Sequence, residues 1–283
     1  MHLNWHIYGH SKALESIERD FLSNSIPNTV LLTGPAHIGK FSLLKKLAEL
    51  MQEDEHHIID TFSFERENND LGIKEFRELK ETLSLYPLRK YKIVIIQDIE
   101  RLSIPLQNAM LKILEEPPEY VYFLLTSSNP EDILDTITSR CRIYKTGPAT
   151  DLEVTEYLEK SFRELNPKFK EDIIFFSSGR IGIASELVNN DEKYQNMINW
   201  LAEIRHLYND GKPHECLKFA EKIAEIERTN IEEFIFVLIQ FLRTKKAADS
   251  LIFVQNTYES ILNNANIKIA LEVLFLRIFK GVV

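Results

Sequence analysis

The sequence predicts an α/β chain: a parallel sheet around a phosphate loop, followed by an all-helical region. Three observations carry that expectation. Apolar runs of strand length alternate with helical stretches over about the first 145 residues, as in a parallel sheet covered on both faces. The first such run closes on "GPAHIGKF" (34–41), where Gly34, Gly39 and Lys40 fill fixed places of the phosphate loop G-x-x-x-x-G-K-[ST]. After the Gly-Pro turn in "KTGPAT" (145–150) the strand signals stop.

In chain order, "SKALESIERDFLSN" (11–24) has helical spacing, with Ala13, Leu14, Ile17, Phe21 and Leu22 on one face. "TVLLTG" (29–34) is a short apolar strand ending in glycine, and "FSLLKKLAELMQ" (41–52) is a helix built on Leu43, Leu44, Leu47 and Leu50. Strand, glycine loop and helix together form the context that a phosphate-loop match requires. The polar stretch 53–70 predicts a strand within connecting loops, and "LGIKEFRELKETLSL" (71–85) a helix ending before Pro87. "YKIVIIQD" (91–98) is the clearest buried strand, bounded by charge at both ends. "LQNAMLKILEE" (106–116) is a helix stopped by Pro117 and Pro118, and "VYFLLTSSNP" (121–130) is another strand. Beyond 150, "DLEVTEYLEKSFREL" (151–165) and "KEDIIFFSSGRIGIASELV" (170–188) read as helices around a glycine break. The rest is helical, with weak breaks near Gly211-Lys212-Pro213 and at Asn263-Asn264. The expected division is a sheet domain at 1–147, a small helical unit at 148–190 and a helical domain at 191–283.

Composition narrows the function. A formal net charge of -9 argues against an autonomous duplex-DNA binder, because phosphate attraction supplies most non-specific affinity; partners can still bring the positive charge. Cys141 and Cys216 are the two cysteines, too few for a four-thiolate zinc site or a disulfide framework, so no zinc is expected. Cys141 reads as a small packed residue rather than a reactive thiol. His56, His57 and Asp60 invite a metal reading, but histidine pairs on polar loops are mostly solvated, and no metal site is expected. "MHLNWHIYGH" shows no secretion pattern, and the longest apolar run, "FIFVLIQFL" (234–242), falls short of the roughly 20 residues of a membrane span. The expected location is the cytoplasm.

The phosphate loop departs from its pattern at Phe41, which stands where a Ser or Thr hydroxyl ligates magnesium. Ser42 is next in line but turned about 100° around the helix. The second nucleotide motif, an apolar strand ending in Asp then Glu, is represented by Gln97 and Asp98. Residues 92–118, "KIVIIQDIERLSIPLQNAMLKILEEPP", resemble without a gap a segment of the bacterial clamp-loader subunits of the AAA+ superfamily, above all the delta-prime kind. Lys92, Glu100, Asn108, Ala109, Lys112, Leu114, Glu115, Glu116, Pro117 and Pro118 coincide with that family's pattern. "LLTSSNPEDILDTITSRC" (124–141) resembles its sensor strand and "TIxSRC" box, "IYGHSKALESI" (7–17) its opening, and "SSGRIGIASEL" (177–187) its lid.

The resemblance implies an AAA+ sheet domain, a helical lid and a helical collar domain at the boundaries above. Gly34, Gly39, Lys40, Phe41, Gln97 and Asp98 would form a degenerate nucleotide pocket, able to hold ATP or ADP weakly but without intrinsic ATPase activity. Thr126, Ser127 and Arg180 would lie in the sensor region, with the lid arginine of active subunits falling at Gly182. Arg140 would be an arginine finger acting on a neighbour's ATP, beside interface residues Lys112, Glu115, Glu116, Ser139 and Cys141. Implied partners are a tau/gamma-like ATPase and a delta subunit, and indirectly the sliding clamp and primer-template DNA. The family's usual cysteine-rich zinc module is missing. The alternative is an active AAA+ ATPase, either a tau/gamma-like motor or a free-standing DNA-dependent enzyme; Phe41 and Gln97 count against it. A clamp-opening delta-type subunit is disfavoured by the glycine loop and the "SRC" box.

Overall fold

A computed structural model of the 283-residue chain describes residues 5, 7–53, 60–65 and 71–280. Strands β1 (Thr29–Thr33), β2 (Thr61–Phe64), β3 (Lys92–Ile96), β4 (Val121–Ser127) and β5 (Arg142–Lys145) form one parallel sheet in the order β2-β3-β4-β1-β5. Every residue of β1 and β3 is buried, as continuous apolar runs must be when helices cover both faces.

Because side chains alternate along a strand, the two faces gather different residues. Val30, Leu32, Ile93, Ile95 and Leu124 pack under α1 (Ser11–Leu22) and α2 (Lys40–Gln52), meeting Ala13, Ile17, Leu43, Leu44 and Leu47. On the other face Leu31, Val94, Ile96, Phe123 and Leu125 meet Phe76 and Leu79 of α3 (Ile73–Leu83). Leu106 and Met110 of α4 (Ile104–Glu115) and Ile137 of the one-turn α5 (Asp135–Thr138) complete that layer. Each of the larger side chains, Val to Phe, contributes about 1.5–3 kcal/mol on burial. The sheet's rigidity therefore comes from two apolar layers, and the loops at its strand ends are free for polar work.

β5 is a strand that the apolar pattern does not announce. Only Tyr144 of its four residues is buried, and Tyr144 Oη donates to Asp20 Oδ2 of α1 at 2.7 Å. The edge strand is recruited by pairing with β1 rather than by its own hydrophobicity.

Beyond β5 the structure is helical: α6 (Asp151–Ser161), α7 (Pro167–Ser177), α8 (Ile181–Asn189), α9 (Asp191–Asn209), α10 (Pro213–Ala224), α11 (Arg228–Thr244), α12 (Ala248–Leu262) and α13 (Ile267–Lys280). Thr150 and Glu153 form a reciprocal capping box that starts α6, and Asn166 and Asn190 cap α7 and α9. The breaks at Gly211 and Asn264 fall between helices. The chain groups into two compact units. One runs through Leu165 and takes in Gly179–Ile183; the other joins Asn166–Ser178 to the chain from Ala184 onward. The second unit has its own core, where Phe219, Phe234 and Phe275 meet ring to ring, with centroids 5.4–5.8 Å apart.

No helix among the described residues is long and apolar enough to cross a membrane. His56 and His57 lie outside the described residues. Asp60 has structural work: its Oδ2 accepts the amides of Leu88 (2.6 Å) and Arg89 (2.9 Å), pinning the loop before β3.

Candidate functional site

The phosphate-loop residues meet at the carboxyl ends of β1, β3 and β4, where ligands bind in open parallel sheets. The cavity there holds about 250 Å³, under the roughly 300–1,000 Å³ typical of small-molecule pockets. Its walls include His37, Lys40, Phe41, Gln97, Asp98 and Thr126. A larger cleft of about 420 Å³, among Phe21, Met51, Tyr91 and Tyr122 at the amino ends of β3 and β4, carries none of the motif residues.

Backbone geometry explains the loop's glycines. Gly39 has φ 96°, a left-handed conformation that side chains rarely adopt, and it caps α2. A Cβ on Gly34 would lie 2.5 Å from the Thr146 carbonyl oxygen, so only glycine fits between β1 and that strand end.

Lys40 is buried at 5% exposure, and its ammonium is fully engaged. It donates to Gly34 O (2.8 Å), Pro35 O (2.7 Å) and Ser128 Oγ (3.0 Å), matching the three donors of a lysine. Burial pushes its pKa below 10.5, the charges of Asp98 and Glu100 pull it back up, and Arg180 adds to the lowering. A phosphate entering the loop would have to win the ammonium from these three oxygens.

Phe41 packs against the apolar layer under α2, with Lys45 Nζ 4.7 Å from its ring centroid, so it offers a metal no oxygen. Ser42, expected to turn away, also borders the cavity. Gln97 extends the pairing of β3, its backbone amide donating a hydrogen bond to Phe64 O at 3.0 Å. Asp98 has φ 51°, and its amide donates to Thr126 Oγ1 at 2.9 Å. Ser127 reaches the loop only by its carbonyl, which accepts the Gly34 amide at 3.2 Å; its Oγ is buried with no hydrogen-bond partner. Gly182 donates its amide to His37 O at 2.8 Å, and a Cβ there would lie 2.9 Å from that oxygen. An arginine side chain at 182 would therefore force the loop to shift.

Two contributors lie outside the site residues to which the sequence pointed. Ser128, one residue past the expected sensor pair, is the one that touches Lys40. Glu100 accepts the amides of Ser128 (2.8 Å) and Asn129 (3.2 Å), holding the end of β4, while its Oε2 is buried without a hydrogen-bond partner. Glu100 had a sequence signal, its match to the family segment; Ser128 had none.

The other group lies at the end of α4, and none of it lines the cavity. Arg140 Nη1 donates to Thr136 O at 2.6 Å, and Nη2 donates to Glu115 Oε1. Cys141 is half-buried, donates to Ile137 O at 3.1 Å, and has its thiol pushed up to about 12 by burial, which makes it inert. Lys112, Glu116 and Ser139 are exposed on the surface around them.

Comparison with known proteins supplies independent relationships. Residues 51–149 match the family described as DNA polymerase III, delta subunit. Over 113 residues (40% of this chain, 34% of the relative) the chain is 34% identical to DNA polymerase III subunit delta' of Escherichia coli K12. It is 26% identical over 182 residues to the delta' subunit of Haemophilus influenzae (64% and 54% covered). It is 25% identical over 186 residues to the gamma subunit of a Buchnera aphidicola strain (59% and 51% covered). The matched segments thus span from about a third to just over half of these relatives' lengths. Among solved structures, a DNA polymerase III gamma subunit-related protein of Thermotoga maritima superposes with TM-score 0.53 at 19% identity, covering 92% of this chain and 96% of that one. A RuvB mutant of the same organism superposes with TM-score 0.50 at 17% identity (70% and 66% covered). The fold is the one these solved structures share, and in sequence the chain is similar to the delta' and gamma subunits of DNA polymerase III.

Proposed function

We propose that this relative of the delta-prime, gamma and tau subunits acts as a delta-prime-like member of a sliding-clamp loader. Its own pocket performs no hydrolysis, and Arg140 serves ATP held by a neighbouring tau/gamma-type subunit. The observation that carries this reading is an asymmetry. At the phosphate loop, Phe41 and Gln97 stand where metal handling needs a hydroxyl and a carboxylate, and Lys40 is engaged by the protein itself. Arg140, by contrast, presents a guanidinium at the surface away from that cavity.

In ATP hydrolysis a water oxygen bonds to the γ-phosphorus as the bond to the bridging oxygen breaks, releasing ADP, phosphate and a proton. Negative charge redistributes over the transferring group, and a fixed fork of N–H donors with a permanent charge suits it. Such fingers are worth about 10³–10⁵-fold in rate. The delta subunit would complete the assembly, with the clamp and primer-template DNA reached through it. No resident nucleotide or zinc is required for this role.

The test is reconstitution of the full chain with the tau/gamma and delta subunits of its own organism. Arg140→Ala should assemble normally and lower clamp- and DNA-stimulated ATP hydrolysis by at least the share of the site it faces. Arg140→Lys should rescue poorly, because lysine lacks the planar fork. A wild-type rate in an intact Arg140→Ala assembly refutes the assignment. The competing reading, an active ATPase, draws on the gamma-subunit match and predicts turnover by the isolated chain that Lys40→Ala abolishes.

A further inference from the structure

Glu115 and Arg140 are 25 residues apart in sequence, yet their side chains form an ion pair. Helix α4 ends at Glu115 because Glu116 leaves helical geometry and Pro117 and Pro118 follow. The residue before it, Leu114, is 3% exposed in the apolar layer beneath the sheet. Arg140 follows α5, whose Ile137 is fully buried in that same layer. The two partners are therefore set against each other by one core, not by chance meeting of flexible chains.

We propose that Glu115 is a positioning residue for Arg140, holding the guanidinium in the pose from which it serves a neighbour's phosphate. This rests on the reading of Arg140 given above. The carboxylate takes Nη2 and the Thr136 carbonyl takes Nη1, so two of the three guanidinium nitrogens are anchored within the chain. Nη1 also donates to Ser139 Oγ at 3.4 Å, so of an arginine's five N–H donors the remaining two stay available to a phosphate. Ordering a free arginine on binding costs rotamer entropy, and an arginine already held avoids much of it. The pair has little else to do. Its side chains are 32% and 48% exposed, and exposed ion pairs contribute little to stability.

The test uses the assembled loader, with the full chain carrying Glu115→Ala, Glu115→Gln or Glu115→Asp and Arg140→Ala as reference. Assembly is checked by size exclusion. Glu115→Ala should reduce clamp- and DNA-stimulated turnover several-fold with little change in KM for ATP. Glu115→Gln should recover most of the rate, since its amide oxygen still accepts from Nη2. Glu115→Asp keeps the charge but withdraws the oxygen by one bond, and should resemble alanine. Combining Glu115→Ala with Arg140→Ala should slow the loader no more than Arg140→Ala alone. If Arg140→Ala slows the loader while Glu115→Ala and Glu115→Asp run at the wild-type rate or faster, the positioning role is wrong and the finger stands. If Arg140→Ala runs at the wild-type rate, the finger reading fails and this inference with it. Should Glu115→Ala not assemble, the contrast between the glutamine and aspartate variants decides alone, and equal rates overturn the proposal.

Discussion

Lys40 does structural work within the loop whose motif it completes. Its three hydrogen bonds tie both carbonyls at the start of the loop to the end of β4. Lys40→Ala should therefore destabilise the isolated chain by about 1–3 kcal/mol, the usual cost of leaving buried polar groups unpaired. Chemical denaturation measures this, and an unchanged midpoint would mean the ammonium does no structural work. His10 carries a second prediction. It is 4% exposed, and burial holds its pKa below 6.5; the Ile38 and Gly147 backbones pull the other way without closing a hydrogen bond on the ring. With the folded pKa depressed, the unfolded chain binds the proton first as pH falls. This contribution to stability is complete above pH 6.5 and is lost as pH falls from there through the folded pKa. His10→Gln should flatten that part of a stability-against-pH curve, and a variant whose acid slope matches the parent would show that other groups set it.

At the scale of elements, one carboxylate ties the loop before β3 to the start of β2. Asp60, just ahead of β2, accepts the Leu88 and Arg89 amides, and its own carbonyl accepts the Ile93 amide at 2.9 Å. That loop also carries Leu85, Tyr86 and Leu88, which are 64%, 85% and 83% exposed and contribute little burial of their own. Asp60→Ala should cost about 1–3 kcal/mol and sharply reduce protection of the Leu88 and Arg89 amides in hydrogen exchange, leaving β4 amides protected. Equal protection in both proteins would show that packing alone holds the loop.

For the whole molecule, the isolated chain should show no steady-state ATP turnover above background. Finding turnover that disappears on Lys40→Ala would restore the active-ATPase reading. Elemental analysis of the purified full chain should find no stoichiometric zinc, because two cysteines cannot supply a four-thiolate site. Stoichiometric zinc would point to ligands outside the expected set.

Much of this architecture was legible in the chain. β1, β3 and β4 are continuous apolar runs, and their helices repeat at three and four residues, because burial on two faces or one face dictates those spacings. The phosphate loop, with Phe41 at its hydroxyl position and Gln97 at the end of β3, is local and reads directly. β5 could not be read, since an edge strand with one buried residue leaves no periodic trace. Nor could Ser128 beneath Lys40, Glu100 holding the β4 end, Gly182 against His37 or Glu115 on Arg140. Each joins residues 25 or more positions apart, and the sequence carries no period for such a meeting. Where they meet is set by the strand order β2-β3-β4-β1-β5 and the packing of helices on its faces, which brings distant chain ends within hydrogen-bonding reach.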